Sequence, residues 1–142
     1  MTDHVLVPHD GSPQAADALE HALREHPAAD ITVLHVIDPT DTGYSAGAMF
    51  PDFSEQWYDA AKDRAAAIFT DAKELAADHG GTFRTARELG RPSRQIVDYA
   101  DEHDVDHIVI GSHGRTGVSR ILLGSVAETV ARRSPVPVTV VR

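Results

Sequence analysis

The residues best placed to do chemistry lie between Gly111 and Ser125, in the stretch GSHGRTGVSRILLGS. It leaves a short apolar run and ends where a helix should begin. Ser125 and Glu128 stand three apart, the spacing of a capping box, which marks a helix start. Backbone N–H groups at such a start have no partner in the helix, and the positive end of the helix dipole lies behind them, so the position suits an anion. Gly111, Gly114 and Gly117 allow positive φ angles and a close backbone approach to a ligand. Ser112, Thr116 and Ser125 add hydroxyl donors, and Arg115 and Arg120 add positive charge. Charge-assisted hydrogen bonds contribute roughly 1.5–3 kcal/mol each, so several on one phosphate tail would give micromolar binding. The plainer alternative is a flexible glycine loop that only joins strand to helix.

Asp10 is the second feature. It follows the first apolar run, VLVP, and would accept from a sugar hydroxyl, help hold a divalent cation beside phosphates, or serve the turn into the next helix. Val36, near the end of the second apolar run, offers backbone groups to a base edge or is simply core. Nine histidines raise the question of a metal. The tightest group, His103-Asp104-Val105-Asp106-His107, falls at a helix-to-strand turn and lacks HExxH-type spacing, which favours structural or solvated roles. His113 sits inside the glycine stretch and is a candidate phosphate contact. GxxxxGK[ST] and GxGxxG are absent, which removes the lysine-bearing phosphate loop and the dinucleotide fingerprint, and no GxSxG surrounds Ser12, so nucleophilic catalysis there has little support.

These residues need elements to hold them. His4–Pro8 reads as a strand buried on both faces. Ser12 is a good N-cap and Pro13 a good first helical residue. Ala16, Leu19, Ala22 and Leu23 supply the inner stripe of that helix, and Pro27 closes it. Ile31–Ile37 is a β-branched second strand. Asp38 to about Phe53 shows no period and reads as a long lid or insertion. A long helix is expected from Ser54 to about His79, its stripe marked by Trp57, Ala61, Ala65, Ile68, Ala72 and Leu75. Thr82–Leu89 is a more exposed strand. Gly90-Arg91-Pro92 opens a helix with Ile96, Val97, Ala100 and His103 inward, followed by a strand at His107–Ile110. The last helix starts at Ser125 and the last strand covers Val136–Val141. Pro137 places that strand at a sheet edge. Strands alternating with helices predict an α/β fold: one three-layer domain spanning 1–142, with a parallel sheet covered on both faces. The apolar final strand has no helix after it, so pairing with a second copy is expected.

The spacing G-x2-G-x9-G-[S/T], met by Gly111, Gly114, Gly124 and Ser125, resembles the ATP-binding branch of the universal stress protein family. The likeness runs along the chain, through VLVPHDGS, LHVID, GRPSRQIVDYA and SPVPVTVVR. It implies a Rossmann-like, five-stranded parallel sheet of order 3-2-1-4-5 and homodimers joined through the last strand. It also implies that Pro8, His9 and Asp10 line the nucleoside side and that the Val36 backbone meets adenine. Gly111, Ser112, His113, Gly114, Arg115, Thr116 and Gly117, with Gly124, Ser125, Val126 and Ala127, would surround ribose and phosphates. Mg²⁺ would accompany the nucleotide. His9 departs from the family pattern, in which a small or hydroxyl residue is frequent there. The function implied is an ATP-binding stress-response or signalling module. The competing readings are a slow ATPase or phosphotransferase using Mg²⁺, and a structural dimer that binds no nucleotide.

Composition bounds the partners. A 142-residue chain with 42% apolar residues buries roughly 70% of its unfolded surface. It contains no cysteine, which removes disulfides and thiolate metal sites. A net charge of −9 repels nucleic acid and anionic lipid. No apolar run reaches the roughly 20 residues that span a bilayer, and the N-terminus lacks a secretion pattern, so a cytoplasmic protein is expected. Aspartate outnumbers glutamate 15 to 7 and arginine outnumbers lysine 11 to 2. Dense short carboxylates with so little lysine fit a salt-rich cytoplasm, where screening weakens self-repulsion. The melting temperature is therefore expected to rise from dilute buffer to molar KCl; an unchanged value would count against that reading.

Overall fold

The computed structural model describes residues 3–39, 54–112 and 123–142. The first apolar run forms β1 (His4–Pro8), in which Val5, Leu6 and Val7 are fully buried. Ser12 then caps α1 (Pro13–Glu25): its Oγ accepts from the Ala15 amide at 3.2 Å, and Pro13 opens the helix as expected. The buried stripe of α1 is Ala15, Ala18, Leu19 and Ala22. It is turned slightly from the expected one, so Ala16 and Leu23 are only half-buried. The chain continues through β2 (Asp30–Ile37), α2 (Ser54–Asp78), β3 (Arg84–Leu89), α3 (Pro92–Glu102), β4 (His107–Gly111), α4 (Ser125–Arg133) and β5 (Val138–Val141).

The five strands form one parallel sheet of order β3-β2-β1-β4-β5, as the family resemblance implied. Strand alternation sends side chains to two cores. On one face Val5, Val7, Ile31, Val33 and Val109 pack with Leu19 of α1 and Ala72 of α2. On the other, Leu6, Leu34, Ile108 and Ile110 pack with Ile96 of α3 and Val130 of α4. Three layers result, and β1 is buried on both sides because it lies at the centre.

Several expectations shift. Along α2, Ala61, Ala65, Ile68 and Ala72 are buried, while Trp57 and Leu75 are half-buried. The third strand begins at Arg84, not Thr82. His103 does not point inward: it is exposed, its Nδ1 lies 3.1 Å from the Tyr99 carbonyl, and its ring stacks on that of Tyr99. The last strand begins at Val138. Val136 is instead held by a local turn, its amide donating to Ser134 Oγ at 3.1 Å. Pro137 has no N–H to give, yet its carbonyl accepts from the Ile108 amide at 3.0 Å. β5 is an edge strand, as Pro137 suggested, and all four of its residues are half-buried. The expected lid falls mostly on residues 40–53, outside the described residues.

At the far end of the sheet, the rings of His107 and His26 lie 5.3 Å apart, and His107 Nε2 is 2.7 Å from Thr139 Oγ1. Partial burial lowers the affinity of His107 for a proton, and the charges His26 and His21 would carry lower it further. The unfolded chain thus binds the proton more readily, and stability falls as pH drops below about 6.5. His107→Gln is expected to flatten stability against pH between 7.5 and 5, measured by denaturant titration. A slope equal to that of the wild type would refute this role.

Gly111 ends β4 directly beneath the first turn of α1. A Cβ there would stand 2.7 Å from the Gln14 carbonyl carbon and 3.0 Å from the Ala15 amide nitrogen. Backbone cannot yield as a flexible side chain can. Gly111→Ala is expected to cost about 1–3 kcal/mol and to lower the melting temperature; an unchanged melt would show that α1 lies farther from β4.

Candidate functional site

β1 and β4 are parallel neighbours, with Val5 opposite His107 and Leu6 opposite Ile108. After β1 the chain passes to α1 on one face of the sheet, and after β4 it leads to α4 on the other. A crevice opens between them at the carboxyl edge, the usual ligand position in open α/β sheets. Its volume is about 830 Å³, within the range of small-molecule sites.

One wall is the turn after β1. The His9 amide donates to the Leu34 carbonyl at 2.8 Å, which ties the turn to β2. Gly11 takes φ +89°, a conformation that favours glycine. Asp10 Oδ1 accepts from the Ser12 amide at 2.9 Å, so of its three possible roles the carboxylate certainly serves the turn. Asp10 is half-buried and still lines the crevice. His9 is buried, and its Nδ1 accepts from the Gly11 amide at 3.0 Å. Burial pushes the imidazole below its ordinary pKa, with Asp10 opposing.

The other wall is the start of α4. Here the expected capping box does not form. Gly124 is the N-cap, in extended conformation, and Ser125 is the first helical residue. Glu128 is therefore the fourth helical residue, one position past the place from which a capping-box glutamate reaches back to the N-cap, and its carboxylate pairs with Arg132. Gly124 has no side chain to cap the helix, and among the described residues no side-chain capping bond is made there. The amides of Ser125, Val126 and Ala127 lie in the turn that helix geometry leaves without intrahelical partners, and all three residues line the crevice. Loss of the box thus leaves the start of α4 better suited to an anion.

Two backbone bonds frame the glycine stretch. The Gly124 amide donates to the Ser112 carbonyl at 2.7 Å, which brings the two ends of the segment together. The Ser112 amide donates to the Val141 carbonyl at 2.8 Å, which fixes that end against β5. His113, Gly114, Arg115, Thr116 and Gly117, with Arg120, lie outside the described residues. The remaining sequence candidates, Pro8, His9, Asp10, Val36, Gly111, Ser112, Gly124, Ser125, Val126 and Ala127, all line the one crevice. Gly111 differs in its reason: its lack of a Cβ admits the backbone of α1.

Sequence reasoning missed the floor and the third wall. His35 lines the floor, buried, with its Nδ1 2.8 Å from the His9 carbonyl. The first turn of α3 adds Arg91, Pro92, Ser93 and Arg94, and Ile96 and Val97 give that wall an apolar surface. Arg94 stands 3.7 Å from Asp98, which also lines the crevice. The signal was present in the topology, since every strand-to-helix turn of a parallel sheet reaches the same edge. Among the described residues, no group of three or more His, Asp or Glu side chains is arranged to hold a metal ion, and no helix is long and apolar enough to cross a membrane.

Residues 1–142 match the Universal stress protein family. Universal stress protein YxiE of Bacillus subtilis is 33% identical over 148 residues, covering all of both chains. Among solved structures, that of protein MJ0577, from Methanocaldococcus jannaschii, superposes with a TM-score of 0.83 at 32% identity, covering 99% of this chain and 96% of its own. A universal stress protein solved in complex with cAMP superposes with a TM-score of 0.72 at 26% identity, covering 99% and 97%. A parallel sheet of this order, a crevice at its central switch point and a family match from end to end agree: the chain belongs to the universal stress protein family.

Proposed function

We propose that this protein binds an adenine nucleotide, ATP above all, in the crevice between β1 and β4, and acts as a dimeric stress-response or signalling module. The observation that carries the reading is the start of α4, with a glycine at its N-cap, facing the Asp10 turn across the sheet edge. Phosphates would sit at the amides of Ser125, Val126 and Ala127, where the helix dipole favours negative charge. The apolar residues Pro8, Val36, Ile96 and Val97 that line the crevice suit a base, and Asp10, which also lines it, would accept from a ribose hydroxyl. The relative solved with cAMP supports the choice of an adenine nucleotide. Mg²⁺ would travel with the phosphates. The half-buried valines of β5 would pair two copies, a remedy for an apolar sheet edge.

Calorimetry with ATP and Mg²⁺ tests the reading, and micromolar binding is expected. Gly124→Asp places a carboxylate at the phosphate end and should weaken binding at least tenfold, or about 1.4 kcal/mol. Failure of the wild type to bind at millimolar ATP would refute the reading, and wild-type affinity in the variant would show that the phosphates lie elsewhere.

A further inference from the structure

Beside the crevice, one buried side chain carries out a task that nucleotide binding by itself does not call for. His9 Nδ1 accepts a hydrogen bond from the Gly11 amide at 3.0 Å. An acceptor nitrogen has no proton, so the ring is neutral and its proton is on Nε2. The His9 carbonyl lies 2.8 Å from His35 Nδ1; a carbonyl only accepts, so His35 carries its proton on Nδ1. Both rings are buried, at 7% and 2% exposure. Besides that bond to His35, the turn between them and the crevice is held by hydrogen bonds from the His9 amide to Leu34, from the Gly11 amide to His9 and from the Ser12 amide to Asp10.

We propose that His9 is a positioning residue: its neutral imidazole holds the turn that presents Asp10 to the crevice, and its protonation releases that turn and weakens ligand binding in acid. A proton on Nδ1 would face the Gly11 N–H, donor against donor, and the bond that holds the Gly11 amide in this geometry would be lost. Gly11, at φ +89°, is then free to leave the conformation that sets the direction of Asp10. The groups facing His9 are Asp10 on the same turn, His35 from β2 and Asp71 from α2. Burial is the largest influence and disfavours the charged ring; Asp10 opposes it, His35 adds to it and Asp71 opposes it. The neutral ring therefore prevails at pH 7, and the change falls below the ordinary histidine value. This inference rests on the nucleotide reading for its ligand but not for its geometry.

The test compares the wild type with His9→Asn, whose Oδ1 can accept from Gly11 without titrating. Affinity for ATP with Mg²⁺ is measured at pH 7.5 and pH 5. Protonation of the phosphates affects both proteins alike, so the difference isolates His9. If the protonated form does not bind, apparent affinity falls about tenfold per pH unit below the midpoint of the ring. The acid-induced weakening is expected to be greater in the wild type than in His9→Asn. In a second arm without nucleotide, NMR follows the Gly11 amide and the His9 ring from pH 8 to 5. The amide should move with the ring's titration in the wild type and stay flat in His9→Asn. Parallel affinity profiles, or a Gly11 amide indifferent to His9, would overturn the proposal. Should the wild type fail to bind ATP at pH 7.5, the nucleotide reading falls alone and the NMR arm still decides the role of His9. Should His9→Asn not fold, the wild-type amide titration decides it.

Discussion

The crevice depends on one constraint, the parallel pairing of β1 with β4 at the centre of the sheet. Two neighbouring strands that point the same way deliver their next residues to the same edge. One connection then turns to the face that carries α1 and the other to the face that carries α4. The chain cannot fill the space between departures in opposite directions, and a cleft remains. The Asp10 turn and the start of α4 face each other for that reason.

The constraint requires a close approach elsewhere. Because α1 returns over the sheet, its first turn passes against the end of β4, and only a residue without a Cβ fits at position 111. Ser112 then uses both of its backbone groups, one toward Val141 and one toward Gly124. These bonds fix β4, β5 and the start of α4 as one unit. Site geometry is thus set largely by main chain, buried in the sheet on one side and in the first turn of a helix on the other.

Apolar burial on the two faces supplies the stability behind this frame. Small residues in the helices, such as Ala18 and Ala22 of α1 and Ala65 and Ala72 of α2, let them lie close to strands rich in valine and isoleucine. The ion pairs contribute little by comparison. Arg84 with Asp30 and Arg24 with Glu20 are exposed, and such pairs are worth at most about 1 kcal/mol. Buried polar groups are few and mostly tied to backbone or to each other, as with His35 against the His9 carbonyl and His4 against Thr32 Oγ1.

The amino-acid sequence by itself determined the order of elements, most of the buried stripe of the first three helices, the cap at Ser12 and the edge position of the last strand. Each of these follows from local chemistry: apolar periodicity, a side chain within reach of a nearby amide, a proline without a donor. It also marked both walls of the crevice, because Asp10 and the Gly111–Ser125 stretch carry polar and glycine residues where a core would not. Where contacts span the chain, local chemistry was silent. It did not show that Gly111 yields to the backbone of α1, that His9 and His35 meet below the turn, or that the first turn of α3 forms a wall. Ser125 and Glu128 had the spacing of a cap, but the Ser112–Gly124 bond sets where the helix begins, and it leaves the serine one residue inside. Residues distant in sequence come to one edge only when strand order is fixed, and strand order is a property of the folded sheet.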